Sequence, residues 1–225
     1  MEDRPASADL EVDERPQRRR EWSGWLRSIV LPLLIVAAIV GGLWYFQGWG
    51  GSSSVVGSDG FGTVELPAAR NATGESPSGQ KGRAAPDFLL ERIDAEGAGD
   101  TLRLSDLQGQ PVLVNFFATW CPPCRDEVPE IVRAYEAHRD QGLVVVAVDL
   151  QEADEGVRAF AEEFGMAFPI VVDRTGEVAQ SWHIGGPIRG IPSSYFVGEN
   201  GVIEELFYGP MMDDIIEKNL TSIMP

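Results

Sequence analysis

The chain has 225 residues, with 35 acidic against 18 basic side chains, two cysteines and 44% hydrophobic residues. That apolar content is too high for a wholly disordered chain, and two cysteines close at most one bridge, which excludes a small disulfide-stapled scaffold. A net charge of -17 leaves no surplus of cations to displace phosphate counterions, so broad nucleic-acid binding is excluded too. A zinc centre takes about four ligands. It would need both cysteines and both histidines, His138 and His183, to converge, so no metal and no cofactor is expected.

Residues 1–28 are polar, with Arg15, Arg18, Arg19, Arg20 and Arg27 gathered toward their end. From Ile29 to Phe46 the chain carries no charge. As a helix this run measures about 27 Å, close to the roughly 30 Å apolar core of a bilayer. Trp22 and Trp25 flank one end and Trp44, Tyr45 and Trp49 the other, as interfacial aromatic belts do. A cleaved signal peptide would have a shorter apolar region and a small-residue cleavage site, which is not found. The reading is one transmembrane anchor at 29–46. Arginines crowd its N-terminal flank and the next basic residue is Arg70. The charge bias therefore puts residues 1–28 in the cytoplasm and the rest outside it, on a single-pass cytoplasmic-membrane protein.

Between Gln47 and Arg83 lie 15 glycines and serines and no sustained apolar period, which predicts a flexible linker over 47–83. Residues 84–225 are long enough for one domain with its own core. Short strands are predicted at Phe88–Ile93 and Thr101–Leu104, and a strand buried on both faces at Val112–Phe117. Val128, Ile131, Val132 and Tyr135 then recur with the period of a one-sided helix. A second buried strand follows at Leu143–Val148, and Val157, Phe160, Ala161 and Phe164 repeat the helical spacing. Strands at Pro169–Val172, Ser194–Val197 and Val202–Phe207 and a helix at Met211–Ile223 close the chain. This alternation is that of an α/β domain with parallel strands in its first half and a terminal hairpin turning at Gly198–Gly201.

The chemistry concentrates at Trp120-Cys121-Pro122-Pro123-Cys124. Cys121 stands where a buried strand ends and a helix begins, with prolines in the first helical positions, where no backbone hydrogen bond is lost. Free N–H groups and the positive end of the helix dipole face its sulfur and stabilise a thiolate. Cys124 lies one turn further in. This arrangement makes Cys121 the attacking nucleophile and Cys124 the resolving thiol of a redox-active disulfide. A structural disulfide competes, although so short a loop removes little chain entropy. Half of an intermolecular zinc site and two inert thiols are weaker alternatives.

The stretch VNFFATWCPPCRDEVP resembles the active-site segment of thioredoxin-like proteins, and most of all the membrane-anchored TlpA/ResA-type thiol–disulfide oxidoreductases, relatives of the AhpC/TSA and Redoxin group. The resemblance spans about residues 84–225. It implies a thioredoxin-like fold with an added N-terminal β-hairpin and a central insertion near Asp149–Ile170. It also implies a cis-proline loop at Gly190-Ile191-Pro192-Ser193, with Trp120, Ile191 and Pro192 binding substrate. Thioredoxins commonly carry an aspartate in the strand before the cysteines, where this chain has Asn115. TlpA/ResA-type proteins instead have an acid matching Glu127, on the helix face of Cys124, suited to shuttle the resolving thiol's proton. Trp182–Arg189 is longer than the family pattern, Pro129 is expected to kink the helix, and Glu152–Glu155 reads as a solvated face.

The resemblance further implies a reductant acting on cysteine-containing proteins, with apocytochrome c the leading substrate class. A membrane-embedded thiol carrier would donate the electrons, and the protein would be monomeric. The alternatives are a disulfide-forming oxidant, a peroxidase, or a non-catalytic interaction module whose disulfide orders a loop.

Overall fold

The computed structural model describes residues 31–48, 60–185 and 190–224. They belong to two compact units, divided between Ser53 and Ser54. In the first, Leu31–Gly48 forms helix α1, on which Leu33, Leu34, Ile35, Val36 and Ile39 are exposed. Among the described residues no helix is long and apolar enough to cross a membrane. The anchor expected at 29–46 begins at Ile29, and both Ile29 and the expected cytoplasmic tail, 1–28, lie outside the described residues.

The second unit is built on a five-stranded sheet. Its strands are β4 (Val112–Phe117), β5 (Val144–Leu150), β6 (Ile170–Asp173), β7 (Ser193–Val197) and β8 (Ile203–Tyr208), in the order β6-β5-β4-β7-β8. The pairs β4–β5 and β5–β6 are parallel, β7 runs antiparallel to β4, and β8 runs antiparallel to β7, as expected of a terminal hairpin. Every residue of β4 is buried because the sheet is covered on both faces. Leu113 and Phe117 face a core shared with helices α2 (Pro122–His138), α3 (Asp154–Phe164) and α5 (Asp213–Leu220). Val112, Val114 and Phe116 face the other core, with Trp182, Tyr195 and the short helix α4 (Glu177–Ser181). Helix α4 was not legible in the sequence because five residues are too few to show a helical period. Pro129 lies within α2, which continues past it to His138.

A second, three-stranded antiparallel sheet has the order β1-β2-β3 and is formed by Gly62–Thr63, Phe88–Glu91 and Thr101–Arg103. Strands β2 and β3 are the expected N-terminal hairpin. Strand β1 is not, because it falls in the stretch 47–83 expected as a linker. Residues 60–83 differ from that expectation, being bound to the domain chiefly through their backbone. Gly62 pairs with Leu89 and Thr63 with Phe88. Gln108 Nε2 donates to Arg70 O at 2.7 Å, and Gly82 N donates to Ile203 O at 2.7 Å. Ser78 Oγ meets His183 Nε2 at 2.8 Å. Main-chain bonds of this kind need no apolar side chains, so a glycine- and serine-rich strap carries no periodic signal.

Gly79 shows how close the strap runs. A β-carbon there would lie 2.3 Å from the backbone oxygen of Trp182, itself fully buried against Phe88, Phe116 and Tyr195. A flexible linker would tolerate alanine at this position without cost. Gly79→Ala is instead expected to lower stability by about 1–3 kcal/mol, as overpacking does, measured as a shift of the denaturant midpoint with an unchanged slope.

Candidate active site

Strand β4 delivers the chain through Ala118, Thr119 and Trp120 to Cys121, which caps α2. Cys121 has an extended backbone (φ -87°, ψ 108°) while Pro122 and Pro123 occupy the first helical turn, the conformation in which proline is most at ease. Cys121 and Cys124 are joined in a disulfide with their Cα atoms 5.2 Å apart. The Cys124 N–H points at Cys121 Sγ, 3.2 Å away. Shared with Cys121 O at 3.1 Å, this helix-start donor is directed at the sulfur that would carry negative charge after reduction. Cys121 keeps 3% of its surface and Cys124 none, so the first sulfur is the more accessible, though only marginally in the oxidised protein. Trp120 beside it is 67% exposed, the largest aromatic surface on this face among the described residues.

One turn along α2, Glu127 is fully buried. Its Oε1 accepts from Asn115 Nδ2 at 2.7 Å, and its Oε2 accepts from the Met211 N–H at 2.9 Å. Asn115 also donates to Ser194 Oγ at 2.9 Å, which fixes the amide in orientation. Burial raises the Glu127 carboxyl to about 7, against the opposing pull of the hydrogen bonds from Met211 and Asn115. At neutral pH it is therefore divided between acid and carboxylate, able either to take or to give a proton. Asn115, where thioredoxins commonly carry an acid, is thus the donor that orients one. The sequence contained both residues, but nothing in their spacing of twelve revealed the bond.

The peptide bond between Ile191 and Pro192 is cis. Strand β7 pairs with β4 so that Ser193 faces Phe116 and Ser194 faces Asn115. Continuing that register by one residue sets Pro192 beside Phe117, at the end of β4 that leads to the cysteines. Ile191 packs against the core cluster containing both cysteines. Gly209 N donates to Pro192 O at 2.9 Å, so the β8–α5 loop supports the proline as well as Glu127. Of Trp182–Arg189, the part from residue 186 to 189 lies outside the described residues.

The histidines go elsewhere: His183 to Ser78, and His138 to Glu217 at 3.0 Å. Among the described residues no group of three or more His, Cys, Asp or Glu side chains is placed to hold a metal ion. Glu152 departs from the solvated face expected of it. Its two carboxylate oxygens accept the Thr119 N–H and the Thr119 hydroxyl, each at 2.6 Å, two residues before Cys121.

The AhpC/TSA family pattern matches residues 81–206. The chain belongs to this family. The thiol-disulfide oxidoreductase ResA of Oceanobacillus iheyensis is 40% identical over 144 residues, covering 64% of this chain and 73% of that protein. The ResA of Geobacillus kaustophilus is 37% identical, covering 64% of this chain and 78% of its own. A crystal structure of a thiol:disulfide interchange protein from Chlorobium tepidum superposes with a TM-score of 0.56 at 26% identity, over 67% of this chain and 99% of that one. The architecture is thioredoxin-like, and this AhpC/TSA family member is a thiol–disulfide oxidoreductase.

The displaced titration of Glu127 makes stability depend on pH with a definite sign. Its folded value of about 7 lies above the ordinary 4.5. The contribution of the protonated group is therefore fully present below about pH 4.5 and is lost as pH rises through 7. Loss of the whole displacement is worth on the order of 3 kcal/mol. Denaturant unfolding of the oxidised protein at pH 5 and pH 8 should show a fall in the wild type that is smaller in Glu127→Gln, the remainder coming from the raised Asp149 carboxyl.

Proposed function

We propose that the protein is a membrane-tethered, extracytoplasmic thiol–disulfide oxidoreductase that reduces selected cysteines of other proteins. The observation that carries the reading is the Cys121–Cys124 disulfide at the N-terminus of α2, with Glu127 buried one turn behind it near its titration midpoint. Once reduced, the Cys121 thiolate attacks a substrate disulfide, forming one S–S bond as another breaks and a substrate thiolate leaves. Glu127 takes the proton of Cys124. The Cys124 thiolate then attacks Cys121 Sγ, releasing the second substrate thiolate and restoring the Cys121–Cys124 disulfide. Two electrons pass to the substrate, and they are replaced by a membrane-embedded thiol carrier.

Trp120 and the Ile191–Pro192 peptide form the docking edge, where the extended backbone of a substrate lies against Ile191 as an added strand. The uncharged run from Ile29 to Phe46 and the arginines before it support the tether and its orientation. Relatives named thiol-disulfide oxidoreductase ResA support the exchange chemistry; the reductant direction and the cysteines of c-type cytochrome precursors as substrate class are the proposal.

Replacing Cys124 by Ser stops the second attack. Cys124→Ser should therefore accumulate disulfide-linked partners through Cys121, visible on non-reducing gels and abolished in the Cys121→Ser, Cys124→Ser double variant. An interaction module would bind partners equally well in both. Direction is decided by potential: equilibration with glutathione or dithiothreitol should place the couple below about -200 mV, while a value well above it would make the protein an oxidant.

A further inference from the structure

The grip of Glu152 on Thr119 raises the question of what holds Glu152. It lies in the loop between β5 and α3, and its own N–H donates to Asp149 Oδ1 at 3.1 Å. Asp149 is fully buried in β5, opposite Phe117 of β4 and Val172 of β6. Its second oxygen, Oδ2, is buried without a partner, while the bond from Glu152 N–H to Oδ1 holds the two residues side by side. With both carboxyls ionised, the buried charge of Asp149 would stand uncompensated beside the partly exposed Glu152 carboxylate. A proton on Asp149 resolves the conflict. The acid becomes the donor, Glu152 keeps its charge, and the charged oxygens hold both Thr119 hydrogens.

We propose that Asp149 and Glu152 form an acid–carboxylate pair that positions the Thr119–Trp120 turn in front of the disulfide, and that loss of the shared proton releases the turn. This rests on the redox reading above and adds to it a second proton-holding element. The new element shares no partner with Glu127, whose bonds go to Asn115 and Met211. Asp149 and Glu152 are positioning residues, acting on the turn and through it on Cys121.

Other charged groups around the pair are engaged elsewhere. Asp173 at the end of β6 accepts from the Gly176 and Ala179 N–H groups. Asp154 and Arg158 of α3 lie within 3.5 Å of each other, and Asp154 also pairs with Arg174. Arg125 of α2 pairs with Glu163. The charge that presses on Asp149 is that of Glu152. Burial first, and then the hydrogen bond and charge of Glu152, raise Asp149 to about 8. Burial also pushes Glu152 up, but the bonds from Asp149 and Thr119 outweigh it and hold Glu152 below the usual carboxylate range. The pair thus carries one proton at neutral pH and yields it to solvent as pH rises through about 8.

The test uses the full-length, oxidised, ¹⁵N-labelled protein in detergent micelles, titrated from pH 6 to 10. The Thr119 amide resonance should shift with a single midpoint between pH 7 and 9.5. Its hydrogen exchange should accelerate there by about tenfold beyond ordinary base catalysis, as one hydrogen bond is lost. In Asp149→Asn a side-chain N–H can donate to Glu152 at every pH, so both transitions should vanish. The rate of reduction by dithiothreitol, expressed per thiolate, should step at the same midpoint in the wild type and not in Asp149→Asn. A Thr119 amide that is flat over this range in the wild type, or that titrates identically in Asp149→Asn, overturns the proposal.

Should Asp149→Asn not fold, ¹³C carboxyl titration of the wild type decides instead. One carboxyl of the two still protonated at pH 7 upholds the pair, and both ionised at pH 6 overturns it. Failure of the redox reading looks different: the disulfide would exchange with thiols at no pH while Thr119 still titrated, which leaves the pair upheld.

Discussion

Three carboxyl groups, Glu127, Asp149 and Asp173, are buried with no exposed surface, and none has a cation paired with it among the described residues. Removing a carboxylate from water without a countercharge is costly, and the rest of the site is arranged around how that cost is met. Each group has its own solution. Glu127 takes one side-chain and one main-chain N–H, Asp173 takes the N–H groups of Gly176 and Ala179, and Asp149 leans on Glu152. Asp149 and Asp173 stand near the ends of β5 and β6, where strands turn toward helices and unsatisfied N–H groups are concentrated, and Glu127 lies in the second turn of α2. The arginines work elsewhere, as in Arg103 with Asp87, Arg92 with Asp94 and Arg174 with Asp154. With 25 acids and only 9 bases in residues 84–225, cations are too few to reach the interior acids as well.

This arrangement ties proton state to structure. A charged Glu127 accepts a stronger bond from Met211 N–H than a neutral one does, because charge-assisted hydrogen bonds are roughly twice as strong. Met211 lies two residues after Gly209, whose N–H supports Pro192 O, and next to Met212, a partly exposed apolar side chain. The proton on Glu127 is therefore felt along one short loop by the segment proposed to receive substrate. The same carboxylate proposed to serve the resolving thiol can set how firmly the proposed docking edge is held.

Much of this was legible in the sequence, and what was missed was missed for physical reasons. Buried strands announce themselves as apolar runs, and α2 and α3 by Val128, Ile131 and Tyr135 or Val157, Phe160 and Phe164, since one-sided burial leaves a period. The cysteine pair was visible because spacing and position between strand and helix agree. The strap over 60–83 was misread as a linker because its main-chain bonds do not depend on side-chain type. Glu152 was misread because a loop acid looks the same whether it faces water or a neighbouring turn. Asp149 did leave a trace, as the one acid closing the apolar run Leu143–Val148, but only the fold reveals which carboxylate it meets.

The buried acids also weigh on whether the disulfide is a staple or a working group. A bridge across a three-residue separation removes little entropy from the unfolded chain. The surrounding core is already complete, with Phe117, Val128, Ile131 and Phe160 packed around the cysteines. A fold selected for rigidity alone would place an apolar side chain at residue 127 and recover the free energy spent on burying a carboxyl there. Retaining an acid near its titration midpoint, one turn from the less exposed sulfur, is worthwhile where a proton must move each time that sulfur changes between thiol and disulfide. The cost in stability and the chemistry of exchange thus fall on the same residue, which favours the redox reading on energetic grounds as well as by likeness to known proteins.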